Sequence, residues 1–252
     1  METLTHLFIT ATILGVAVFT AHKMSWLNPT GALAAWLVGF CLVWAGGWLF
    51  LVPMLVFFLA GSLSGLLHNK TSQKTGRNAV QVLTNGGVAV LSLILWKITG
   101  EATFMTCYFA SVSISLTDTV SGDIGMAGGR VPYDIISLKP VEPGLSGGVT
   151  FTGTAGGLGV SVLYSLLCYF IFDIRMTEMY IIGVCGMAGM ITDSLLGSLY
   201  QAKYLDSGHI TDSPENQAVL VRGRRWMTND MVNLVSNLLL TACTMAVTYT
   251  LI

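Results

Sequence analysis

Apolar and polar positions alternate along this chain in blocks. Apolar runs lie near 4–21, 31–67, 79–98, 102–117, 148–172, 178–199 and 231–252, with polar stretches between them. A helix that crosses a bilayer takes about 20 mostly apolar residues, so the run 31–67 is too long for one crossing. It predicts two helices with a turn near Gly46-Gly47 or Pro53, and the total becomes eight spans. The expected fold is all-α: a polytopic integral membrane helical bundle in a single transmembrane domain over 1–252, without a second domain, linker or low-complexity tail. The first run lacks a basic segment ahead of it, and its first charge is Glu2, so it reads as a retained first span and not as a signal peptide.

The cationic residues support the split. With eight spans, one side of the membrane receives Lys23, Lys70, Lys74, Arg77, Arg130, Lys139, Lys203, Arg222, Arg224 and Arg225, and the other receives only Lys97 and Arg175. Cytoplasmic loops are the ones enriched in Lys and Arg. The first side is therefore expected in the cytoplasm and both termini outside. Seven spans would scatter the same residues over both sides. The sequon Asn69-Lys70-Thr71 falls on the cytoplasmic side, where it stays unmodified.

Composition sharpens the picture. Of 252 residues, 53% are hydrophobic and 10% charged, and mean hydropathy is +0.71. A soluble domain carries about 25% charged residues, so this chain has too little polar surface to coat a water-soluble globule. A net charge of −1 excludes a basic field for nucleic acid. The five cysteines lie in apolar runs without CxxC spacing and read as packing residues. Gly61 and Gly65, Gly153 and Gly157, and the series Gly183, Gly186, Gly189 give small-residue faces for close helix packing. No preceding strand supports a dinucleotide-binding reading of 153–159. The four histidines are scattered and the tryptophans read as interface anchors.

Candidate chemistry gathers at the cytoplasmic boundary. Asp193, in "GMAGMITDSLLGSLYQ", is an ionisable residue inside a span, and such residues are costly enough to imply a role. Asp118 closes the span 102–117 and Asp230 opens the last one. Three carboxylates at one depth repel each other unless a cation sits among them. Asp230, Asn233 and Asn237 share a helix face, as do Arg77, Gln81 and Asn85. Each stripe suits plain interhelical hydrogen bonding, and at this depth each also suits a wet, lined cavity. In the expected loop 118–147, Gly144, Gly147 and Gly148 permit an anion nest, and a helix begins just after it. Oxygen donors without a His or Cys cluster favour Mg²⁺. Mg²⁺ beside a nest and basic residues is what a nucleoside triphosphate needs.

Five motifs then occur in order: "RNAVQVLTNG", "DTVSGDIG", "KPVEPGLSGGVTFTGTAGG", "ITDSLLGSLYQ" and "NDMVN". Together they resemble a family of polytopic membrane proteins that includes phytyl-phosphate kinases of vitamin E biosynthesis. More distantly they resemble dolichol kinase and CDP-diacylglycerol synthase. The resemblance covers about 77–237, the expected catalytic region. Two departures bear on acceptor specificity. Where the family usually reads DTxASEIG, this chain has Gly122 in place of a serine and Asp123 in place of a glutamate. The segment "GGRVPYDIISLK" also lacks the family's usual basic pattern.

The resemblance implies a kinase that uses CTP or another nucleoside triphosphate to convert an isoprenoid monophosphate to its diphosphate at the cytoplasmic face. The acceptor is of the phytyl, geranylgeranyl or farnesyl type. The membrane is the plasma membrane in a bacterium or archaeon and an organellar one in a eukaryote. Asp118 and Asp193 would hold Mg²⁺, with Asp123 and Asp230 as further ligands. Lys139 and Arg77 would neutralise phosphates. Gly144, Ser146, Gly147 and Gly148 would cradle the nucleotide, and Gln81, Asn85 and Asn233 would line the site. The partners are a lipid phosphate, a nucleotide and membrane lipids, with homo-oligomerisation left open. Three alternatives remain: a CDP-lipid-forming cytidylyltransferase, a proton- or cation-coupled transporter built on Asp193, and a membrane scaffold.

Overall fold

A computed structural model describes residues 2–68, 76–214 and 218–251. The sequon 69–71, Lys70 and Lys74 lie outside the described residues. Eight α-helices follow one another among the described residues: α1 (Glu2–Lys23), α2 (Pro29–Gly46), α3 (Leu51–Ser64), α4 (Ala79–Thr99), α5 (Ala102–Ala127), α6 (Phe151–Phe172), α7 (Met176–Leu199) and α8 (Asn229–Leu251). Short 3₁₀ turns at Trp48–Phe50 and Gly65–His68 flank α3. Two small antiparallel sheets sit in the long connections. One pairs β1 (Tyr133–Asp134) with β2 (Gly148–Val149). The other has the order β4-β3-β5, from β3 (Lys203–Asp206), β4 (His209–Thr211) and β5 (Val219–Arg222). The connection 200–229, expected as plain loop, thus carries strands of its own.

The run 31–67 divides at Gly46-Gly47 and not at Pro53. Gly47 has φ +87°, a conformation open to glycine at little cost, and its N–H closes α2 on the Val43 carbonyl. Pro53 sits in the first turn of α3, where a missing N–H breaks no helical bond. Local capping fixes the other starts. Asn28 caps α2 ahead of Pro29, Asn78 and Gln81 form a capping box on α4, and Thr150 caps α6. The starts of α2 and α4 are joined directly, because the Arg77 N–H donates to Trp26 O and the Asn28 N–H donates to Arg77 O. Gly31 lies so close to the Arg77 carbonyl that a Cβ there would stand 1.9 Å from it.

Among the described residues, seven helices are long and apolar enough to cross a membrane, α3 counted with its 3₁₀ turns as Trp48–Leu67; the eighth, α5, falls short in apolarity. It lies at the centre, packed by α3, α4, α6, α7 and α8. Ser111, Ser113, Ser115 and Thr117 are buried within it. A helix shielded from lipid on every side has no need of lipid-facing residues. The same shielding carries α5 past 117, where the apolar run ends, to Ala127: Val120, Ser121, Asp123 and Gly125 are buried too. Asp118 and Asp123 are therefore inside α5 and not beyond its end. Small residues let its neighbours in, since a Cβ at Gly189 would meet Ile114 at 2.6 Å and one at Gly157 would meet Ser121 at 3.0 Å. At the opposite end of the bundle Phe50 packs against Trp96, Tyr108, Phe109 and Phe172, and the Tyr108 hydroxyl donates to the Phe50 carbonyl.

Candidate functional site

The splaying of α2 from α3 at Gly47 leaves an apolar trough of about 540 Å³ between α1 and α2 on one side and α3 on the other. Along most of its length the walls are side chains such as Leu14, Val38, Leu42, Met54 and Leu55. Polar groups collect at the end where α2, α4 and α8 begin: Arg77, Gln81, Asn85, Thr119, Asp123, Asn229, Asp230 and Asn233. Six of these eight carry roles expected from sequence.

Arg77 is placed by its backbone bonds to Trp26 and Asn28. Its guanidinium lies over the rings of Phe57 and Phe58, at 5.6 and 5.3 Å, beside Gly61, whose missing side chain makes the room. Burial lowers the Arg77 pKa and the nearby Asp123 charge raises it; a guanidinium remains charged throughout. Asp123 is buried and accepts a 2.7 Å hydrogen bond from Ser64 Oγ at the end of α3. Gln81 Oε1 accepts from the Asn78 N–H in the capping box, and the Asn85 side-chain amide donates to the Gln81 carbonyl.

Asp193 lies behind this end. Its Oδ2 accepts from Ser236 Oγ at 3.2 Å and, with the Asn233 amide oriented to suit its partners, from the Asn233 nitrogen at 2.9 Å. Asp118, on α5, stands near enough for the two negative charges to repel. Asp118 and Asp123 are five residues apart on one helix and so point to different faces. The first is turned toward Asp193 and the second toward Ser64 and Arg77.

The four aspartates therefore do not converge on one point. Among the described residues, no group of three His, Cys, Asp or Glu is placed to hold a metal ion. Two carboxylates are nevertheless an adequate protein share for Mg²⁺, which usually takes one or two carboxylates and completes its shell with phosphate and water. Asp118 and Asp193, with Asn233 beside them, fit that requirement. Asp123, bonded to Ser64 and facing Arg77, does not belong to the same set. Asn237, in the same stripe as Asn233, is fully engaged. It donates to Ser111 O and Ser115 Oγ and accepts from Ser111 Oγ and Thr241 Oγ1, clasping α8 to α5.

The glycine-rich segment differs from the open cradle expected. Gly147 has φ +84° and lies against the end of α7, where a Cβ would stand 2.7 Å from the Ser198 nitrogen. A Cβ on Gly197 would in turn run into Ser146 Oγ. The Ser146 N–H donates to Asp212 Oδ2 at 2.6 Å. The N–H groups of Leu145 and Gly148 bond within the segment, to Glu142 and Leu145, and the Gly147 carbonyl accepts from Ile135. These donors are thus engaged inside the chain, and a carboxylate of the chain holds the place expected for a phosphate. Gly144 and Lys139 are exposed on the same connection.

Nearby, Asp134 accepts from Ser198 Oγ at 2.6 Å and from the Ser137 and Ile136 N–H groups. Burial raises its pKa, and these bonds, led by Ser198, outweigh that and hold it at about 2. Burial pushes Asp212 up to about 6 against the Ser146 bond and the Lys203 charge. Lys203 is itself buried, which lowers its pKa, while Asp212 raises it.

Ser64, Thr119 and Ser236 belong to the polar end and were not singled out in sequence. Ser236 lies three residues after Asn233 on the stripe already noted, which is the signal it offers. Ser64 sits in an apolar run and has no such signal.

The family model described as integral membrane protein DUF92 matches residues 12–241. An uncharacterised membrane protein of Methanocaldococcus jannaschii is 32% identical over 217 residues, covering 83% of this chain and 90% of that protein. Protein PGR of Arabidopsis thaliana is 28% identical, with 88% of each chain covered. The chloroplastic protein VTE6 of the same plant is 23% identical over 83% of this chain and 62% of its own length. No solved structure matches. The match takes in the trough's whole polar end, and on its extent the chain belongs to the DUF92 family of integral membrane proteins.

Proposed function

We propose that this protein is an isoprenoid-monophosphate kinase, transferring the terminal phosphoryl group of CTP or another nucleoside triphosphate to a lipid monophosphate. The observation that supports it most is the trough: apolar along its length and polar at one end, where Arg77 meets aspartates and amides. That gradient suits an amphiphile with one apolar tail and an anionic head. The resemblance to phytyl-phosphate kinases and the similarity to VTE6 point the same way.

In this reading the tail lies in the trough, and Arg77 binds the acceptor phosphate. Ser64 holds Asp123 so that it orients the guanidinium. Asp118 and Asp193 would hold Mg²⁺, with Asn233 keeping the Asp193 carboxylate in place and Asp230 at the rim. When bound, Mg²⁺ supplies charge neutralisation on the nucleotide phosphates. Lys139 gives a second cation on the side from which a nucleotide approaches.

An oxygen of the acceptor phosphate attacks the γ-phosphorus, the bond from that phosphorus to the β-phosphate oxygen breaks, and the nucleoside diphosphate leaves with the electron pair. The acceptor, with a second pKa of about 6, is already anionic at neutral pH. No general base is required, only alignment and neutralisation. In this reading the end faces the cytoplasm, as the positive-inside pattern of the sequence would have it.

The test is turnover by purified protein in nanodiscs. Isoprenyl monophosphates are offered with each of the four triphosphates and Mg²⁺, and products are identified by mass. The expected products are a lipid diphosphate and a nucleoside diphosphate. Pyrophosphate with a CDP-lipid would assign a cytidylyltransferase instead. Full turnover in both Asp118→Ala and Asp193→Ala would remove the site assignment.

A further inference from the structure

The apolar end of the trough is bordered by an indole. Arg77 lies at the start of α2 and Trp48 just past its other end, so the trough runs the length of that helix. For 18 residues this is about 27 Å. Trp48 lines the trough there. It also lines a second, smaller cavity of about 270 Å³, whose other lining residues include His6, Leu7, Thr10, Phe40 and Trp44. One indole, 42% exposed, thus borders both cavities. Its position is set by the Gly47 break, where φ is +87° and the chain leaves α2.

We infer that Trp48 is the chain-length stop for the lipid acceptor. The trough takes one linear isoprenoid tail with its phosphate at Arg77, and the indole face limits how many isoprene units fit. This rests on the acceptor reading of the trough given above. A linear prenyl phosphate is the occupant because the polar groups collect at one end and, among the described residues that line the trough, the cation there is Arg77. Removing the indole would open the trough toward the second cavity that Trp48 also lines. Leu55 lines the trough part-way along α3 and is half-exposed, so a larger side chain there shortens the space without entering the packed core.

The experiment measures binding and turnover separately. Farnesyl, geranylgeranyl, geranylfarnesyl and hexaprenyl monophosphates compete for the detergent-solubilised full chain, and bound lipid is read by native mass spectrometry. Wild type, Trp48→Ala and Leu55→Trp are compared. Wild type should show a cutoff. Trp48→Ala should move it to longer chains, raising the ratio of longer to shorter lipid bound by about tenfold or more, a change that burial of one further isoprene unit readily supplies. Leu55→Trp should move it to shorter chains, and it carries the test if Trp48→Ala does not fold.

A cutoff that neither variant moves overturns the inference, and if turnover persists the kinase reading stands. Shifted binding with no phosphoryl transfer upholds the length stop and defeats the kinase reading. Failure of every prenyl phosphate to bind defeats both.

Discussion

Asp193→Asn separates function from stability. Asp193 is 8% exposed and faces Asp118 across the α5–α7 contact. Both hydrogen bonds it accepts fall on Oδ2, so an asparagine carbonyl in that position keeps both donors satisfied at nearly unchanged volume. What the substitution removes is one of two like charges. Screened by an effective dielectric of about 20, repulsion of this kind amounts to about 1–2 kcal/mol. The variant should therefore be more stable, by about 2–8 °C in Tm for a chain of this size.

Phosphoryl transfer should fall by a factor of about 100 or more. Thermal unfolding can be followed with a thiol-reactive fluorogenic dye, because Cys107 and Cys168 are buried and become reactive only on unfolding. The exposed Cys243 and half-buried Cys41 are first replaced by serine. A marked loss of stability, or activity retained at wild-type level, would refute a functional charge at Asp193 and leave a structural one.

Three further outcomes follow from named contacts. Arg77→Lys keeps the backbone bonds to Trp26 and Asn28 but loses the planar guanidinium over Phe57 and Phe58; acceptor KM should rise about 10- to 100-fold with little change in Tm. Asn237→Ala removes the acceptor of the Ser111 and Thr241 hydroxyls and the amide donated to Ser111 O and Ser115 Oγ, all in a buried site. It should cost about 2–4 kcal/mol, read as a fall in Tm, while turnover per folded molecule at low temperature is kept. Asp212, pushed up to about 6 from an ordinary 3.8, binds its proton more tightly when folded than when unfolded. Its contribution is therefore fully present below about pH 4 and is lost as pH rises through 6, by about 1–2 kcal/mol. Asp212→Asn should flatten that part of the stability profile between pH 4.5 and 7.5, measured by the same dye.

Spans α1 to α4 and α6 to α8 were legible because each must be apolar to face lipid, and the Lys and Arg distribution fixed their number. The Gly47 break was legible as one of two candidates. The true length of α5 was not, because its last turns are held by burial against neighbours and not by an apolar surface of their own. Within the site, Gln81 and Asn85 on α4 and Asn233 on α8 were legible as local stripes, since helical periodicity alone puts them together. The separation of Asp118 from Asp123 is also written in their spacing, five residues on one helix, once both are known to be helical. Ser64 and Trp48 carry no local sign; their roles come from where α3 ends and begins in three dimensions.

The glycine-rich connection shows why composition alone left its role open. Gly144, Gly147 and Gly148 are what an anion nest requires, and also what a tight docking turn requires. The difference is made by Asp212, 66 positions from Ser146, whose carboxylate takes the Ser146 N–H. The same turn presses Gly147 onto Ser198, and Ser198 is tied to Asp134. Ser198 lies on α7 little more than one turn beyond Asp193. A segment that fixes the end of α7 fixes the depth and rotation at which Asp193 meets Asp118 and Asn233. In the kinase reading, the conformational freedom of Gly147 thus serves the metal-binding carboxylates through the helix that carries one of them, and contact with phosphate is left to Arg77 and Lys139.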